Sequence, residues 1–121
     1  MKMLTLNAYG SNHNITLATD RYVNNNNLYV QMLCHDEAYV EPWCDLTVNL
    51  GIKLPDNCAF VDVNNNGEEI CQWLEANNLA KPTGRIVQSG FVAYPEYQFN
   101  MDVVAEYLFN AEEFKEANTY V

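Results

Sequence analysis

The most organised group of ionisable side chains lies near the C-terminal end of the sequence. At about 100° per residue, five carboxylates fall within about 120° of one face of a predicted helix, opposite an apolar face: Asp102, Glu106, Glu112, Glu113 and Glu116. Like charges one turn apart destabilise an isolated helix. An acidic face of this kind favours a surface that binds a basic partner, and a merely solvated helix face is the alternative interpretation.

The charge balance of the whole chain agrees with an acidic surface. Six Lys and Arg residues stand against 16 Asp and Glu residues, which gives a formal net charge of −10. A protein that binds nucleic acid or an anionic membrane by releasing counterions needs a basic stripe. The composition therefore excludes direct binding to nucleic acid or to such a membrane.

The cysteine and histidine residues do not predict a catalytic or metal site. Cys34 and His35 are adjacent on a predicted strand, so their side chains should point to opposite faces and cannot form a nucleophile–base pair. The four cysteines lack the close pairs that are typical of structural zinc sites. We therefore expect free thiols, no catalytic residues, no metal, no cofactor and no enzymatic activity.

The segment from Asp62 to Gly67 resembles the first half of a calcium-binding loop. Its Asp62, Asn64, Asn66 and Gly67 have the spacing of D-x-N-x-N-G, in which alternate oxygens turn inward and Gly permits a sharp turn. The twelfth position would be Trp73, where a bidentate Glu is required. A turn that leads from a strand into a helix is the preferred interpretation, and a weak metal site remains the alternative.

The elements that would position these residues form one α+β domain over residues 1–121. Alternating and short apolar segments predict strands, and helical periodicity predicts two helices packed on a mainly antiparallel sheet. The predicted strands are 3–9, 14–22, 28–34, 43–50, 58–63, 85–88 and 91–99. The predicted helices are 68–77 and 101–117. The predicted loops or turns include the four Asn residues of 24–27, then 36–42 and 81–84. The first helix is predicted to begin with Asn65 as its N-cap and Glu68 three residues later. No apolar run is long enough to span a membrane, and the N-terminal segment turns polar too soon for a signal peptide, so we expect a cytoplasmic protein.

About half of the chain, roughly residues 46–99, resembles an uncharacterised family of small acidic proteins from plasmids, conjugative elements and phages of gut Firmicutes. The resemblance is carried by strand and turn segments: Leu46–Leu50, Leu54–Asp62, Trp73–Glu75, Lys81–Gly84, Ser89–Phe91, Tyr94-Pro95 and Tyr97–Phe99. As a domain of unknown function, the family implies no catalytic residues. It implies a context, since small acidic proteins on mobile elements often inhibit host defences.

Two functional hypotheses follow from these observations. The first is a non-enzymatic inhibitor of the anti-CRISPR or anti-restriction type, whose acidic helix face binds a basic, nucleic-acid-binding host protein. The second is a weak metal-binding or small housekeeping domain with no catalytic role.

Overall fold

The structure, a computed structural model, describes residues 1–37 and 39–117, with side chains as far as Lys115. Within these residues, eight strands form two four-stranded antiparallel sheets. The first sheet has the order β1-β2-β3-β4 and consists of β1 (Leu4–Ala8), β2 (Ser11–Arg21), β3 (Leu28–Asp36) and β4 (Tyr39–Asp45). The second has the order β5-β6-β8-β7 and consists of β5 (Thr47–Val48), β6 (Cys58–Val61), β7 (Ala80–Ser89) and β8 (Val92–Phe99).

Four short helices complete the described part of the chain: α1 (Val63–Asn66), α2 (Glu69–Ala76), α3 (Met101–Glu106) and α4 (Ala111–Ala117). The prediction of an α+β fold with mainly antiparallel strands is confirmed. The finer prediction of one sheet with two helices is wrong, because the described residues form two sheets and four short helices. No helix among the described residues has the length and apolar character needed to cross a bilayer.

Alternation along the strands builds the main core. In β3, Leu28, Val30, Met32 and Cys34 are buried, while the residues between them are partly exposed. Because successive side chains of a strand point to opposite faces, this pattern turns one face of the first sheet toward the core. Residues from α2, α3 and the second sheet join the same cluster.

The chain passes from the first sheet to the second at Leu46, which is fully buried. The N–H of Leu46 donates to the carbonyl of Val30 at 2.9 Å, and its carbonyl accepts from the N–H of Asp62 at 2.9 Å. Leu46 thus hydrogen-bonds to both sides of the junction. A second, smaller cluster of Leu54, Cys58 and Phe60 lies apart from the main core, which explains why β6 is buried at all four positions.

The first helical segment begins earlier than the sequence predicts. Asp62 is the N-cap of α1, and its side chain accepts the N–H of Asn65. The prediction of Asn65 as N-cap of a helix over 68–77 is therefore wrong. Gly67 ends α1 with a φ of 81°, and α2 then starts at Glu69 and buries Ile70 and Leu74.

The predicted helix over 101–117 is also wrong, because it is interrupted between α3 and α4. The N–H of Leu17 donates to the carbonyl of Tyr107 at 2.8 Å, and the N–H of Phe109 donates to the carbonyl of Leu17 at 2.8 Å. These bonds form a parallel bridge between Leu17 and Leu108. A helical backbone would use those groups within the helix, so pairing with β2 ends α3.

Two predicted loops are strands in the structure. Most of the segment 36–42 belongs to the hairpin of β3 and β4, since β4 begins at Tyr39. The segment 81–84 lies within β7, where the pairing register with β8 shifts between Pro82 and Ile86. Proline lacks the N–H that a regular ladder needs, so an irregular register is expected at this position.

Candidate functional site

The predicted acidic face lies on two helices instead of one. Asp102 and Glu106 belong to α3, whereas Glu112 and Glu113 lie in the first turn of α4, and all four are exposed. The side chain of Glu116 lies outside the described residues. Since the chain between the helices is not helical, the angle of about 100° per residue does not extend from one helix to the other. The structure therefore does not produce the single continuous stripe expected from the sequence.

Two of these carboxylates already pair with cations of the same chain. Glu106 Oε1 lies 2.6 Å from Lys2 Nζ, and Glu113 Oε2 lies 3.5 Å from the N-terminal ammonium of Met1. The hydrogen bond that Lys2 donates to Glu106 raises the pKa of the Lys2 ammonium. Among the described residues, Asp102 and Glu112 form no ion pair. Of the four described carboxylates of the predicted acidic face, these two have no cation of the described chain paired with them.

Asp102 also borders a polar cleft of about 680 Å³. Glu75 and Lys81 line the same cleft, together with several amide side chains: Asn57, Asn78, Gln98 and Asn100. The hydroxyl of Tyr97 donates to Glu75 at 2.8 Å. Because the cleft contains both signs of charge, it does not select a ligand by charge alone.

Cys34 and His35 occupy opposite faces of β3, as predicted, so their side chains do not pair with each other. Cys34 lies in the main core, and burial raises the pKa of its thiol. His35 Nε2 is hydrogen-bonded to the hydroxyl of Thr16 at 2.7 Å. The imidazole ring packs against Phe109 and Phe114, with ring centroids 5.7 and 5.8 Å away. A buried, neutral thiol is inert, so this pair has a structural role.

The calcium-like segment is organised as a helix cap. Asp62 is 6% exposed. Its Oδ1 accepts the N–H of Asn65 at 3.1 Å, and its Oδ2 accepts the side-chain amide of Asn65 at 2.8 Å. Asn66 donates its amide to the carbonyls of Asp45 and Asp62. These contacts account for both oxygens of the one carboxylate in the loop, and no cluster of three metal-ligating side chains occurs in the described part of the chain.

A site that the sequence did not reveal lies between the β1–β2 hairpin and helices α1 and α2. It is a groove of about 740 Å³ whose aromatic lining consists of Tyr9, Trp43 and Trp73. These include both tryptophans of the chain. The indole N–H of Trp73 donates to the carbonyl of Thr5 at 2.8 Å, which fixes α2 against the edge of β1. The groove is open and partly apolar, as binding sites commonly are.

Tertiary contacts assemble this groove from distant parts of the sequence. Trp43 stacks on His13 with ring centroids 4.5 Å apart, and Tyr9 lies 6.1 Å from Trp43. Strand periodicity places Tyr9 at a hairpin end but does not indicate what lies opposite. The one local signal in the sequence is the pair Tyr9-Gly10. A two-residue hairpin turn normally has Asn, Asp or Gly at its first position, so a Tyr there is unusual.

Comparison with known protein families assigns the chain to one of them. A family model described as "Domain of unknown function (DUF4313)" matches residues 16–119. Because this match covers most of the sequence, the chain belongs to that family, and the resemblance to a family of unknown function is confirmed over a longer span than 46–99. No curated protein and no solved structure matches the chain.

Proposed function

We propose that this member of the DUF4313 family is a non-enzymatic binding protein for a basic protein partner. The observation that supports the proposal is the exposure of Asp102 and Glu112 on successive helices, without an ion pair among the described residues. They belong to a chain with a net charge of −10. Complementary charge at an interface speeds association and suppresses wrong partners, so uncompensated carboxylates favour a cationic surface.

The other predicted carboxylates have a different place in this proposal. Glu106 and Glu113 are held by Lys2 and by the N-terminal ammonium. A partner would have to displace these cations or bind beside them, so these two acids contribute less attraction than Asp102 and Glu112. Glu116 stays in the proposed surface on the basis of its sequence position.

The partner class that we propose is a host defence protein that binds nucleic acid, such as a CRISPR effector or a restriction enzyme. Such proteins have basic channels that hold phosphate backbones. An acidic protein that occupies the channel would exclude nucleic acid. The support for this narrower proposal is the charge of the chain and its family resemblance.

Charge-reversed variants test the proposal. Asp102→Lys with Glu112→Lys removes the proposed attraction, and Asp56→Lys with Glu68→Lys is the matched control, since it changes the net charge equally at other exposed positions. Each immobilised variant is used to capture proteins from a lysate of the organism that carries the gene. The captured protein is then purified, and its binding to the chain and to a DNA duplex is measured at several salt concentrations.

We expect the first double variant to weaken binding by about tenfold, because interfacial charge pairs contribute on this scale, and the control to change it by less than about threefold. Binding by the wild-type chain should weaken with salt and should displace the DNA duplex from the partner. Equal retention by both variants, or binding that ignores salt, would contradict the proposal. Thermal melting of each variant shows that its fold is intact.

A further inference from the structure

The described lining of the aromatic groove combines three exposed or half-exposed rings with a single carboxylate. The aromatic residues are Tyr9, Trp43 and Trp73, and Glu69 is the charged residue among those described in the lining. Among the described residues of that lining, none is Lys or Arg. The remaining lining is apolar or uncharged: Leu6, Asn7, Ala8, Cys44, Asn65, Asn66, Gly67 and Ile70.

Tyr9 is held at the mouth of this groove in an unusual backbone conformation. Its φ is 52° and that of Gly10 is 79°, which are the signs of φ required by a type I′ hairpin turn. A bulky side chain is disfavoured at such a position, where Asn, Asp or Gly is usual. Tyr9 is also 93% exposed, so packing within the chain does not compensate for this conformation. A disfavoured, exposed ring 6.1 Å from Trp43 is explained if it contacts a ligand.

The carboxylate of Glu69 has a defined place at the side of the groove. A Cβ atom added to Gly67 would lie 2.8 Å from Glu69 Oε2, so the absence of a side chain at Gly67 leaves the room that this oxygen occupies. Gly67 itself has a φ of 81° and ends α1. The first residue of α2 thus contributes a carboxylate to the same lining as the aromatic rings.

We propose that this groove binds an arginine side chain on an exposed segment of a basic protein partner. A guanidinium group stacks flat on a tryptophan ring and directs its N–H groups in the plane of the stack toward a carboxylate. The combination of Trp43, Trp73, Tyr9 and Glu69 matches that pair of interactions. Lysine offers a point charge without a planar face, and an anionic ligand would meet Glu69 and the net charge of −10.

This inference rests on the proposed function, because it names the chemistry that a basic partner would present. The groove is a different place from the proposed acidic surface, since none of its described lining residues belongs to α3 or α4. Association could therefore begin by general attraction to the acidic surface and end with an arginine seated between the aromatic rings.

Intrinsic tryptophan fluorescence gives a direct readout, because both tryptophans of the full chain line the groove. The probe is a capped peptide of alternating arginine and glycine, and the comparison peptide has lysine in place of arginine. Glu69→Gln is the test variant, and Glu68→Gln is its matched control, since it removes the same charge from an adjacent exposed residue that does not line the groove. Tyr9→Asn tests the aromatic contact.

We expect saturable binding of the arginine peptide, with weaker binding of the lysine peptide. Glu69→Gln and Tyr9→Asn should each lower affinity by about tenfold, in line with charge-assisted and cation–π contacts. Glu68→Gln should change affinity by less than about twofold, since exposed charges contribute little. Calorimetry with the same variants provides a second readout that does not depend on the environment of the tryptophans.

Several results would overturn the inference. They are the absence of saturable binding at millimolar peptide, equal losses for Glu68→Gln and Glu69→Gln, and unchanged affinity for Tyr9→Asn. If reversal of Asp102 and Glu112 weakens peptide binding and Glu69→Gln does not, the groove is wrong and the proposed acidic surface stands. If the peptide binds in the groove and the lysate yields no partner, the proposed function fails and the groove stands.

Discussion

Replacement of Asp62 separates its role as a helix cap from a role as a calcium ligand. Its two oxygens accept bonds of 3.1 and 2.8 Å from Asn65, and the residue is 6% exposed. Asp62→Ala removes an N-cap, which costs about 1 kcal/mol, and a second hydrogen bond to a charged acceptor, which contributes about 1.5 kcal/mol. The expected loss of unfolding free energy is therefore about 2–3 kcal/mol.

This loss should be visible in thermal and urea unfolding followed by circular dichroism. For a chain of this size, a change of 1 kcal/mol shifts Tm by about 4 °C, so Asp62→Ala should lower Tm by about 10 °C. Asp62→Asn keeps an oxygen that can accept the N–H of Asn65, and should lose about half as much. Asp56→Ala is the control, because Asp56 is an exposed residue in a turn and should change stability by less than about 0.5 kcal/mol.

The same measurements with millimolar calcium test the alternative function. If both oxygens of Asp62 serve as a cap, calcium should leave the Tm of the wild-type chain unchanged. A calcium-dependent rise in Tm that disappears in Asp62→Asn would show that the oxygens bind metal, and would refute the assignment as a cap. An Asp62→Ala variant as stable as the wild type would refute the energetic argument.

Two further predictions concern histidine titration and turn strain. Burial lowers the pKa of His35 below its ordinary 6.5, so the unfolded chain takes up a proton at higher pH than the folded chain does. The free energy of unfolding should therefore fall as pH decreases from about 6.5, until the folded-state pKa is passed. His35→Gln should flatten the dependence of Tm on pH between about pH 7.5 and 5, and an unchanged pH profile would contradict this. Tyr9→Asn should raise the free energy of unfolding by about 1 kcal/mol, because Asn tolerates positive φ. Urea unfolding measures this change, and a less stable variant would contradict the turn assignment.

The parts of the fold that the sequence predicts correctly depend on local patterns. The alternation of apolar residues in β3 identifies a strand with one buried face, because a period of two is a property of the strand itself. The turn among Asn24–Asn27 follows from the tolerance of Asn for left-handed conformations, and Asn26 has a φ of 62°. The existence of α2 follows from the shared face of Ile70 and Leu74.

The errors arise where distant segments compete for the same backbone groups. Residues 101–117 have helical periodicity throughout, yet the backbone of Leu17 takes the carbonyl of Tyr107 and the N–H of Phe109. That competition cannot be seen in a helical wheel, because β2 lies about ninety residues earlier in the chain. The same reasoning explains the groove, whose two tryptophans come from β4 and α2 and whose tyrosine comes from the first hairpin.

The acidic helices and the groove offer a basic partner two different kinds of contact. At physiological ionic strength, interactions between exposed charges are screened over about 8 Å, so the exposed carboxylates of α3 and α4 attract a partner without fixing one close contact. Their effect should fall mainly on the association rate. The contact of an arginine with Trp43 and Glu69 would act at short range and should fall mainly on the dissociation rate. The two sets of variants should therefore change different rate constants in kinetic measurements. A loss of association rate in Glu69→Gln alone would contradict the assignment of the association rate to the acidic helices.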